Sequence, residues 1–508
     1  MNVRSIRLFA ASISLALVAT SAHAVHISPN GTGQVLLFPY YTVRNGFSTL
    51  VSVTNTQNNT KAVKVRFLEG MNGREVSGFN LFLAPNDTWT GVVVETQNGA
   101  RIVTNDNSCV APSDLFTETR QISGTVQSFN EFINFRFTGS VQDNPAFSSL
   151  DRTREGYFEI LEMGLIDPTL SATAAQIVGF VKPADVDRAG TTNCAAVDRF
   201  DSSSGTQGAI RFPNTGAALM APPSGGLKGR ASLINAATGA NYSFAPTALD
   251  GWSSQVAYSP AGDAGGTILS DAFPTSSMVT TPMGVVIARW ANGRDAVSAA
   301  LMRESLLNEF VLDTGTVSQT DWLVTLPTKR FYTDPIYGNT ISSVRAPFSG
   351  AFSSDGTTGC DGGVGEGFQG KGGAAEDPAI RGEKHGSEFA ELDDDVAGTL
   401  FDQDAAGFYE VYLYTAASTS KASALTSPAF SGSTQGPNGR ATFIFSRPQQ
   451  QLTPLSAVLI SPSGVQTTIS GKHIGLPMIG VMLHNYKNAD VLSRYGGVVE
   501  HAYSVRVE

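Results

Sequence analysis

The sequence predicts a mainly β protein built of antiparallel β-sandwich domains, immunoglobulin-like or jelly-roll-like. Three observations predict this class: apolar runs alternate with polar turns, glycine occurs 52 times, and charged residues make up only 15% of 508. Residues 34–95 show the alternation most clearly. Short β-branched runs separated by tight turns are typical of a sandwich. The spacing of Gly and Asn and the β-branched content argue against helices in this stretch.

Residues 62–68 carry the most regular alternation. Val63, Val65 and Phe67 share one face of an extended chain, while Lys64 and Arg66 share the opposite face. This period of two predicts a half-buried strand. The same reasoning predicts neighbouring strands at 49–56, 79–83 and 88–94, with turns at 57–60 and 84–87.

Further apolar runs bounded by Gly, Pro or Asn predict ordered elements, most of them strands. They cover residues 129–137, 156–164, 176–181, 227–235, 240–244, 321–327, 407–414, 441–445 and 475–486. The run at 156–164 also allows a helix, because Glu155, Glu159 and Glu162 would then align on one face. Both interpretations stay open at this point.

One helix is predicted near 295–312. Val297, Leu301 and Val311 fall on one stripe at helical spacing. Asp295 is a suitable N-cap because its side chain can accept a hydrogen bond from the first turn.

The first 24 residues have the organisation of a secretory signal peptide. Arg4 and Arg7 form a basic start, 8–18 form an apolar run, and 22–24 form a small-x-small cleavage site. The apolar run is too short to span a bilayer. We therefore expect an exported mature chain that begins at Val25 and resides in the periplasm, at the cell surface or outside the cell.

Length and composition predict two β-rich domains after the signal peptide at 1–24. We place the first domain at 25–200, a linker or loop rich in Ser, Gly, Pro and Asn at 201–226, and the second domain at 227–508. Residues 349–398 hold many glycines and an acidic run, so we expect a flexible insertion there. Whether strands of the two halves share a sheet is left open.

The charge balance bears on partners. The chain has 34 basic and 44 acidic residues, a net charge of −10. Nucleic-acid binding requires a basic face, so nucleic acid is not an expected partner. No second apolar run is long enough for a transmembrane helix. Other proteins, including further copies of this chain, are the expected partners, with glycans as an alternative.

The three cysteines are Cys109, Cys194 and Cys360. Two of them should pair in an oxidising compartment. Cys109 and Cys194 both lie in polar loops, and we predict a disulfide between them. Cys360 would then be an odd thiol, either without a role or used for intermolecular pairing.

Motifs for metal, cofactor or nucleophile chemistry are largely missing from the sequence. The histidines show neither i, i+4 spacing nor an HExxH motif, and no G-x-S-x-G elbow or phosphate loop occurs. Residues 402–407 begin like an EF-hand loop but lack the required later acids. A looser calcium site among acids 393–404 stays open, against a solvated acidic loop. We therefore expect no cofactor.

Glu159 and Glu162 are the best candidates for acid–base chemistry. They lie in an apolar run, where burial could raise the pKa of a carboxyl group and let it serve as an acid or base. The alternative is that they are solvated or paired with Arg152 and Arg154. We favour the alternative, because structural ion pairs are common.

Three segments carry a resemblance to known sequences: 38–44 (FPYYTVR), 62–70 (AVKVRFLEG) and 321–332 (DWLVTLPTKRFY). They resemble a group of signal-bearing proteobacterial proteins described as hypothetical or cell-surface proteins. The resemblance implies an exported bacterial protein and covers most of the mature chain. It transfers no active-site residue.

The first functional hypothesis is a secreted, non-catalytic bacterial surface or extracellular-matrix protein that acts by structure and interaction. It could self-assemble by strand pairing, because the edge strands of a sandwich can accept a neighbour's strand. Residues 25–37 could be a donor strand, or could pair within their own sheet. The second hypothesis is a glycan-binding protein or glycoside hydrolase that uses Glu159, Glu162 and four tryptophans. Those tryptophans are Trp89, Trp252, Trp290 and Trp322.

Overall fold

The computed structural model confirms a mainly β fold with several antiparallel sheets. It describes residues 23–70, 73–113, 115–116, 119–122, 125–128, 131–142, 148–181, 194, 197, 201, 219–261, 266–311, 318–337, 346–348, 408–415, 430–434, 438–445, 450–487 and 494–508. Predictions for 1–22 and for the insertion at 349–398 lie outside the described residues.

The strands in the first half of the chain are short, as the turn-rich sequence predicts. They are β1 (His26–Ile27), β2 (Val35–Thr42), β3 (Ser48–Asn55), β4 (Thr60–Glu69), β5 (Glu75–Leu83), β6 (Thr88–Glu95), β7 (Ala100–Val103), β8 (Cys109–Ala111), β9 (Thr119–Ile122), β10 (Thr125–Ser128), β11 (Glu155–Ile166), β12 (Met220–Ala221), β13 (Leu227–Asn235), β14 (Ala240–Phe244) and β15 (Thr247–Asp250).

The second half continues in the same way. Its strands are β16 (Ser276–Thr281), β17 (Gly284–Arg289), β18 (Met302–Arg303), β19 (Ser305–Val311), β20 (Gln319–Thr325), β21 (Phe408–Thr415), β22 (Phe430–Thr434), β23 (Asn438–Ile444), β24 (Gln451–Leu452), β25 (Ser456–Ile460), β26 (Gln466–Ile469), β27 (His473–Ile474), β28 (Leu476–Pro477), β29 (Ile479–Lys487), β30 (Arg494–Glu500), β31 (Ala502–Ser504) and β32 (Arg506–Val507). Three α-helices are described: α1 (Ala172–Phe180), α2 (Gly293–Leu301) and α3 (Arg330–Thr333).

Two sheets form a sandwich. The eight-stranded sheet has the order β1-β15-β2-β11-β4-β5-β8, with β12 on β11, and the five-stranded sheet has the order β14-β13-β3-β6-β7. Their facing side chains form one buried core, in which Phe38, Val65 and Phe158 meet Val53 and Trp89. The rings of Phe38 and Phe158 stack with centroids 4.1 Å apart. Face-to-face packing of alternating apolar residues is what the sequence pattern predicts.

The eight-stranded sheet is covered on its second face as well. Leu37 and Leu161 of that sheet join a core with Val297 of α2 and Trp322 of β20. Strand β4 is consequently buried at every position. The predicted division of faces is correct, since Val63, Val65 and Phe67 lie in the sandwich core and Lys64 and Arg66 lie on the opposite face. The prediction that the strand is half buried is wrong, because that opposite face is covered as well.

Strand pairing crosses the predicted linker at 201–226. β13 pairs with β3 along its length, and β15 pairs with β2. Residues after the linker therefore complete the sheets begun before it. The segment 25–37 also pairs internally, since His26 pairs with Asp250 and Val35 pairs with both Leu249 and Leu161.

The predicted helix near 295–312 is correct only in its first half. Helix α2 ends at Leu301, and the chain then forms β18 and β19. β19 pairs with β23 on one side and β31 on the other, so tertiary pairing overrides the helical spacing. The N-cap is Asn292, whose side chain accepts a hydrogen bond from the backbone N–H of Asp295.

One predicted strand is also wrong. In 129–137 the structure has an isolated bridge at Glu131 and a 3-10 helix at Phe135–Phe137. The element predicted at 176–181, whose type the sequence left open, lies largely in helix α1, which Ser171 caps and whose first turns are rich in alanine. The run at 156–164, by contrast, is the strand β11, so the helical alternative there is excluded.

Candidate functional site

Glu159 lies in the middle of β11, opposite Arg66 on β4. Its carboxylate is completely buried. The Nη1 atom of Arg66 lies 2.5 Å from Oε1, and Nη2 of Arg330 lies 3.1 Å from each carboxylate oxygen. Helix α3 brings Arg330 onto this face of the sheet. Two guanidinium groups thus neutralise Glu159 from two different elements.

Glu162 is equally buried, and its partner is a lysine. Nζ of Lys61 donates to Oε1 over 2.6 Å, and the backbone N–H groups of Ser224 and Gly225 donate over 3.0 and 2.8 Å. Burial raises the pKa of the Glu162 carboxyl group and lowers the pKa of Lys61, while their mutual attraction opposes both shifts. This is the arrangement of a satisfied internal ion pair.

The predicted partners of these glutamates are wrong, although the ion-pair interpretation fits the geometry. Arg152 pairs with Glu69 over 2.7 Å, and Arg154 pairs with Glu95 over 3.0 Å. The actual partners lie on β4 and α3, far away in sequence. A carboxylate held by two cations or by a lysine and two amides is poorly placed to exchange protons with a substrate.

The four tryptophans are all buried. Trp89, Trp252 and Trp322 have no exposed surface, and Trp290 is 3% exposed. The indole N–H of Trp252 donates to the Leu269 carbonyl oxygen, and that of Trp290 donates to the Ser277 hydroxyl. Their rings belong to the cores and present no face on which a sugar could stack.

The sulfur atoms of Cys109 and Cys194 lie at disulfide distance, 2.03 Å apart, as predicted for this pair. Cys109 is on β8 at one edge of the eight-stranded sheet. Cys360 and the acids at 393–404 lie outside the described residues. Among the residues that are described, no group of three or more His, Cys, Asp or Glu side chains is arranged to hold a metal ion.

The outer face of one sheet exposes an apolar surface. The sheet β16-β17-β25-β26 places Met278, Ile287 and Val458 in one cross-strand row, and Val285 and Ile460 in the next. These five side chains, which we call the aliphatic face, are only partly buried. Three large apolar side chains lie in the loops around it: Met283 is 57%, Val465 60% and Leu455 72% exposed.

The strand β26 forms the open edge of this sheet. No described strand pairs with its outer side, and Gln466, Thr467 and Thr468 are exposed. The N–H of Ser461 donates to the Val465 carbonyl oxygen across the hairpin. Because backbone groups in an antiparallel strand turn alternately to either side, those of Gln466 and Thr468 face the open edge.

Sequence reasoning missed this edge, because Gln466–Ile469 has too few apolar residues to show alternation. A signal was nevertheless present: residues 448–471 contain no charged residue, in a chain that averages 15%. Natural edge strands are usually protected by charges, proline or bulges. An uncharged edge beside the aliphatic face marks a surface suited to association.

None of the helices in the described part of the chain is long and apolar enough to cross a membrane. The resemblance to exported proteobacterial surface proteins stays a prediction. In comparisons with protein-family models, curated proteins and solved structures, nothing matches this chain.

Proposed function

We propose that this protein is an exported, non-catalytic structural or interaction protein of the bacterial cell surface or extracellular matrix, and that its copies associate by strand pairing. The observation that carries the proposal is the uncharged open edge at β26 beside the aliphatic face. An unprotected edge strand is a template for pairing with another chain. On this proposal the protein acts through the surfaces by which its copies bind one another, and not through a catalytic site.

The non-catalytic part of the proposal rests on the buried carboxylates. Glu159 and Glu162 are the acid–base candidates, and each is held by buried cations or backbone N–H groups. The glycan-directed alternative relies on these two residues and on four tryptophans that lie in the cores. No exposed feature of the described residues favours that alternative.

The self-association part rests on charge as well as on hydrogen bonding. Two copies of a chain with net charge −10 repel each other over most of their surface. The hairpin of β25 and β26 carries no charged residue, so two copies can come into contact there with less electrostatic repulsion. Antiparallel pairing of two β26 strands would be two-fold symmetric and would join two four-stranded sheets into one sheet. The two aliphatic faces would then be continuous.

Sedimentation velocity of the mature chain over a concentration series tests this proposal. We expect a monomer–dimer equilibrium at concentrations up to about 0.1 mM, and we expect Thr468→Lys to shift it to monomer because two like charges would meet across the pair. Thr280→Lys is the matched control, since Thr280 lies on the same face at the opposite edge of the sheet. A strictly monomeric wild type, or an equal effect of both substitutions, would contradict the proposed edge.

Export is tested separately, by protease treatment of intact cells. Digestion of the mature chain in intact cells, with a cytoplasmic marker left whole, is the expected result. Full protection in intact cells, together with recovery in the cytoplasmic fraction, would refute surface exposure and export.

A further inference from the structure

Arg303 is a buried cation for which the described residues provide no acidic partner. It is on β18, directly after helix α2, and pairs with Leu476 on β28. The side chain is in the interior, at 4% exposure for the residue. Its Nη1 atom donates to the Met302 carbonyl oxygen over 2.9 Å, and the guanidinium lies 3.8 Å from the centre of the Tyr503 ring. Among the described residues, no carboxylate lies within ion-pair distance of it.

This situation differs from that of the other buried arginines. Arg66, Arg74, Arg152 and Arg330 each contact a carboxylate at 2.5–3.1 Å. Burying a charge is costly unless it is paired, and a π face compensates only part of that cost. Burial accordingly lowers the pKa of the Arg303 guanidinium, and Tyr503 opposes the shift. A buried guanidinium whose described neighbours include a tyrosine but no carboxylate can accept an anionic ligand.

Arg303 lines a cavity of about 230 Å³ between β15, β18, β29 and β31. The walls are mainly apolar and include Ile27, Pro39, Pro246, Leu306, Met478 and Val481. The polar side chains that line the cavity beside Arg303 are those of Ser28, Thr247, Glu500, His501 and Tyr503. This combination of an apolar cavity with a few convergent polar groups is typical of a ligand site.

The other polar lining groups are not equivalent to Arg303. Both ring nitrogens of His501 are engaged, since Nε2 lies 3.1 Å from the Leu323 carbonyl oxygen and Nδ1 lies 3.1 Å from Nδ2 of Asn308. Glu500 is solvent-exposed and forms no ion pair with Arg303. Among the described residues that line the cavity, Arg303 is the one Lys or Arg side chain, and it supplies the positive charge that can hold an anion.

The size of the cavity limits the ligand. At about 30 Å³ for each water-sized atom, it holds roughly eight non-hydrogen atoms. A guanidinium presents paired N–H groups that match the geometry of a carboxylate. We propose that this cavity is a binding site for a small monocarboxylate with an aliphatic tail, with the carboxylate on Arg303 and the tail along the apolar wall. This site is independent of the association edge at β26.

Hexanoate, with eight non-hydrogen atoms, is a suitable probe. We expect calorimetric titration of the mature wild-type chain to detect hexanoate at concentrations up to about 10 mM, and to show at least about tenfold weaker binding of 1-hexanol and hexylamine. This comparison needs no variant. Undetectable hexanoate, or equal binding of hexanoate and 1-hexanol, would overturn the proposal.

Two variants test the role of Arg303 itself. Arg303→Met keeps the length of the side chain and should reduce hexanoate binding to the level of 1-hexanol. Arg303→Lys should weaken hexanoate binding about tenfold, because an ammonium group lacks the paired N–H groups with which a guanidinium binds a carboxylate. Arg289→Met is the matched control, since Arg289 is exposed on β17 and should leave binding unchanged. Retention of hexanoate binding by a folded Arg303→Met variant would refute the assignment.

Discussion

The guanidinium of Arg330 lies 3.1 Å from both carboxylate oxygens of Glu159, and neither side chain has any exposed surface. The same carboxylate also forms an ion pair with Arg66, so one negative charge links β4, β11 and α3. Removing one member of a buried charge network leaves the others uncompensated, which costs far more than losing an exposed pair. Glu159 thus has a structural role that its position in an apolar run does not reveal.

Replacement of Glu159 by Gln is expected to lower the free energy of unfolding by about 3–5 kcal/mol, because Arg330 stays buried without a counter-ion and Arg66 keeps only its second partner, Glu75. Urea titration followed by circular dichroism measures the change. Glu304→Gln removes one carboxylate from Arg506, which is exposed and keeps Glu508 as a second partner, and should cost about 0–1 kcal/mol. Equal effects of the two substitutions would contradict the structural role of the buried pair.

The disulfide between Cys109 and Cys194 closes a loop with a sequence separation of 85 residues. Constraining a loop of this length in the unfolded chain stabilises the fold by about 4.6 kcal/mol in the chain-entropy treatment. We expect the double variant Cys109→Ser/Cys194→Ser to lose about 2–5 kcal/mol in urea unfolding. Cys360→Ser is the matched control and should leave stability unchanged. A loss with Cys360→Ser instead would indicate a different pairing.

Stability should decrease in acid because of buried histidines. Burial lowers the pKa of His473 to about 4, from 6.5 in the unfolded chain. The unfolded state therefore binds the proton more readily, and stability that is complete above pH 6.5 is lost as the pH falls towards 4. The same burial lowers the pKa of His501 to about 4. At about 1.4 kcal/mol per pH unit, each histidine contributes up to about 3 kcal/mol to this loss.

Urea unfolding of the variant His473→Phe between pH 7 and 4.5 measures this contribution. The variant should lose about 2–3 kcal/mol less than wild type over that range. Trp290→Phe alters the same core, since the two rings are 5.2 Å apart, but removes no titrating group and should keep the wild-type slope. Parallel curves for His473→Phe and wild type would show that His473 does not titrate in this way.

Two glycines should respond to alanine in opposite directions. An added Cβ at Gly156 would lie 1.9 Å from the Leu68 carbonyl oxygen on the neighbouring strand, so Gly156→Ala should destabilise by about 2 kcal/mol or more. Gly179 is in helix α1, and no atom beyond its chain neighbours and the helix's own backbone lies within 4 Å of an added Cβ, so Gly179→Ala should stabilise by about 0.5–1 kcal/mol. The shift in melting temperature of each variant gives the sign of its stability change. A higher melting temperature for Gly156→Ala would contradict the close approach of β11 and β4.

The strands at 49–56, 62–68, 79–83 and 88–94 were predictable, because local alternation there coincides with β3, β4, β5 and β6. What local alternation could not reveal is burial on both faces of β4. Arg66 has the sequence signature of a solvent-facing residue, yet its partner Glu159 lies 93 positions further along the chain. Such pairings depend on which sheets stack, and no short window contains that information.

The candidate surfaces were less predictable for related reasons. Arg303 falls in the run predicted as helix, and its burial arises from the turn into β18 and its pairing with β28. The open edge at β26 follows from the order of strands in the sheet. Whether a strand lies at an edge depends on which other strands pair with it, and the local sequence does not contain that information. Charge depletion over 448–471 is the one local signal of that edge.

The pairing of Val35 with Leu249 joins residues about 210 positions apart. A ribosome adds about 5–20 residues per second, so roughly 10–40 s pass between the appearance of these two partners. Throughout that interval β2 lacks one of its neighbours and the first sheet cannot be completed. During that interval the early strands lack their final packing, which favours the threading through a translocation pore that the proposed export requires.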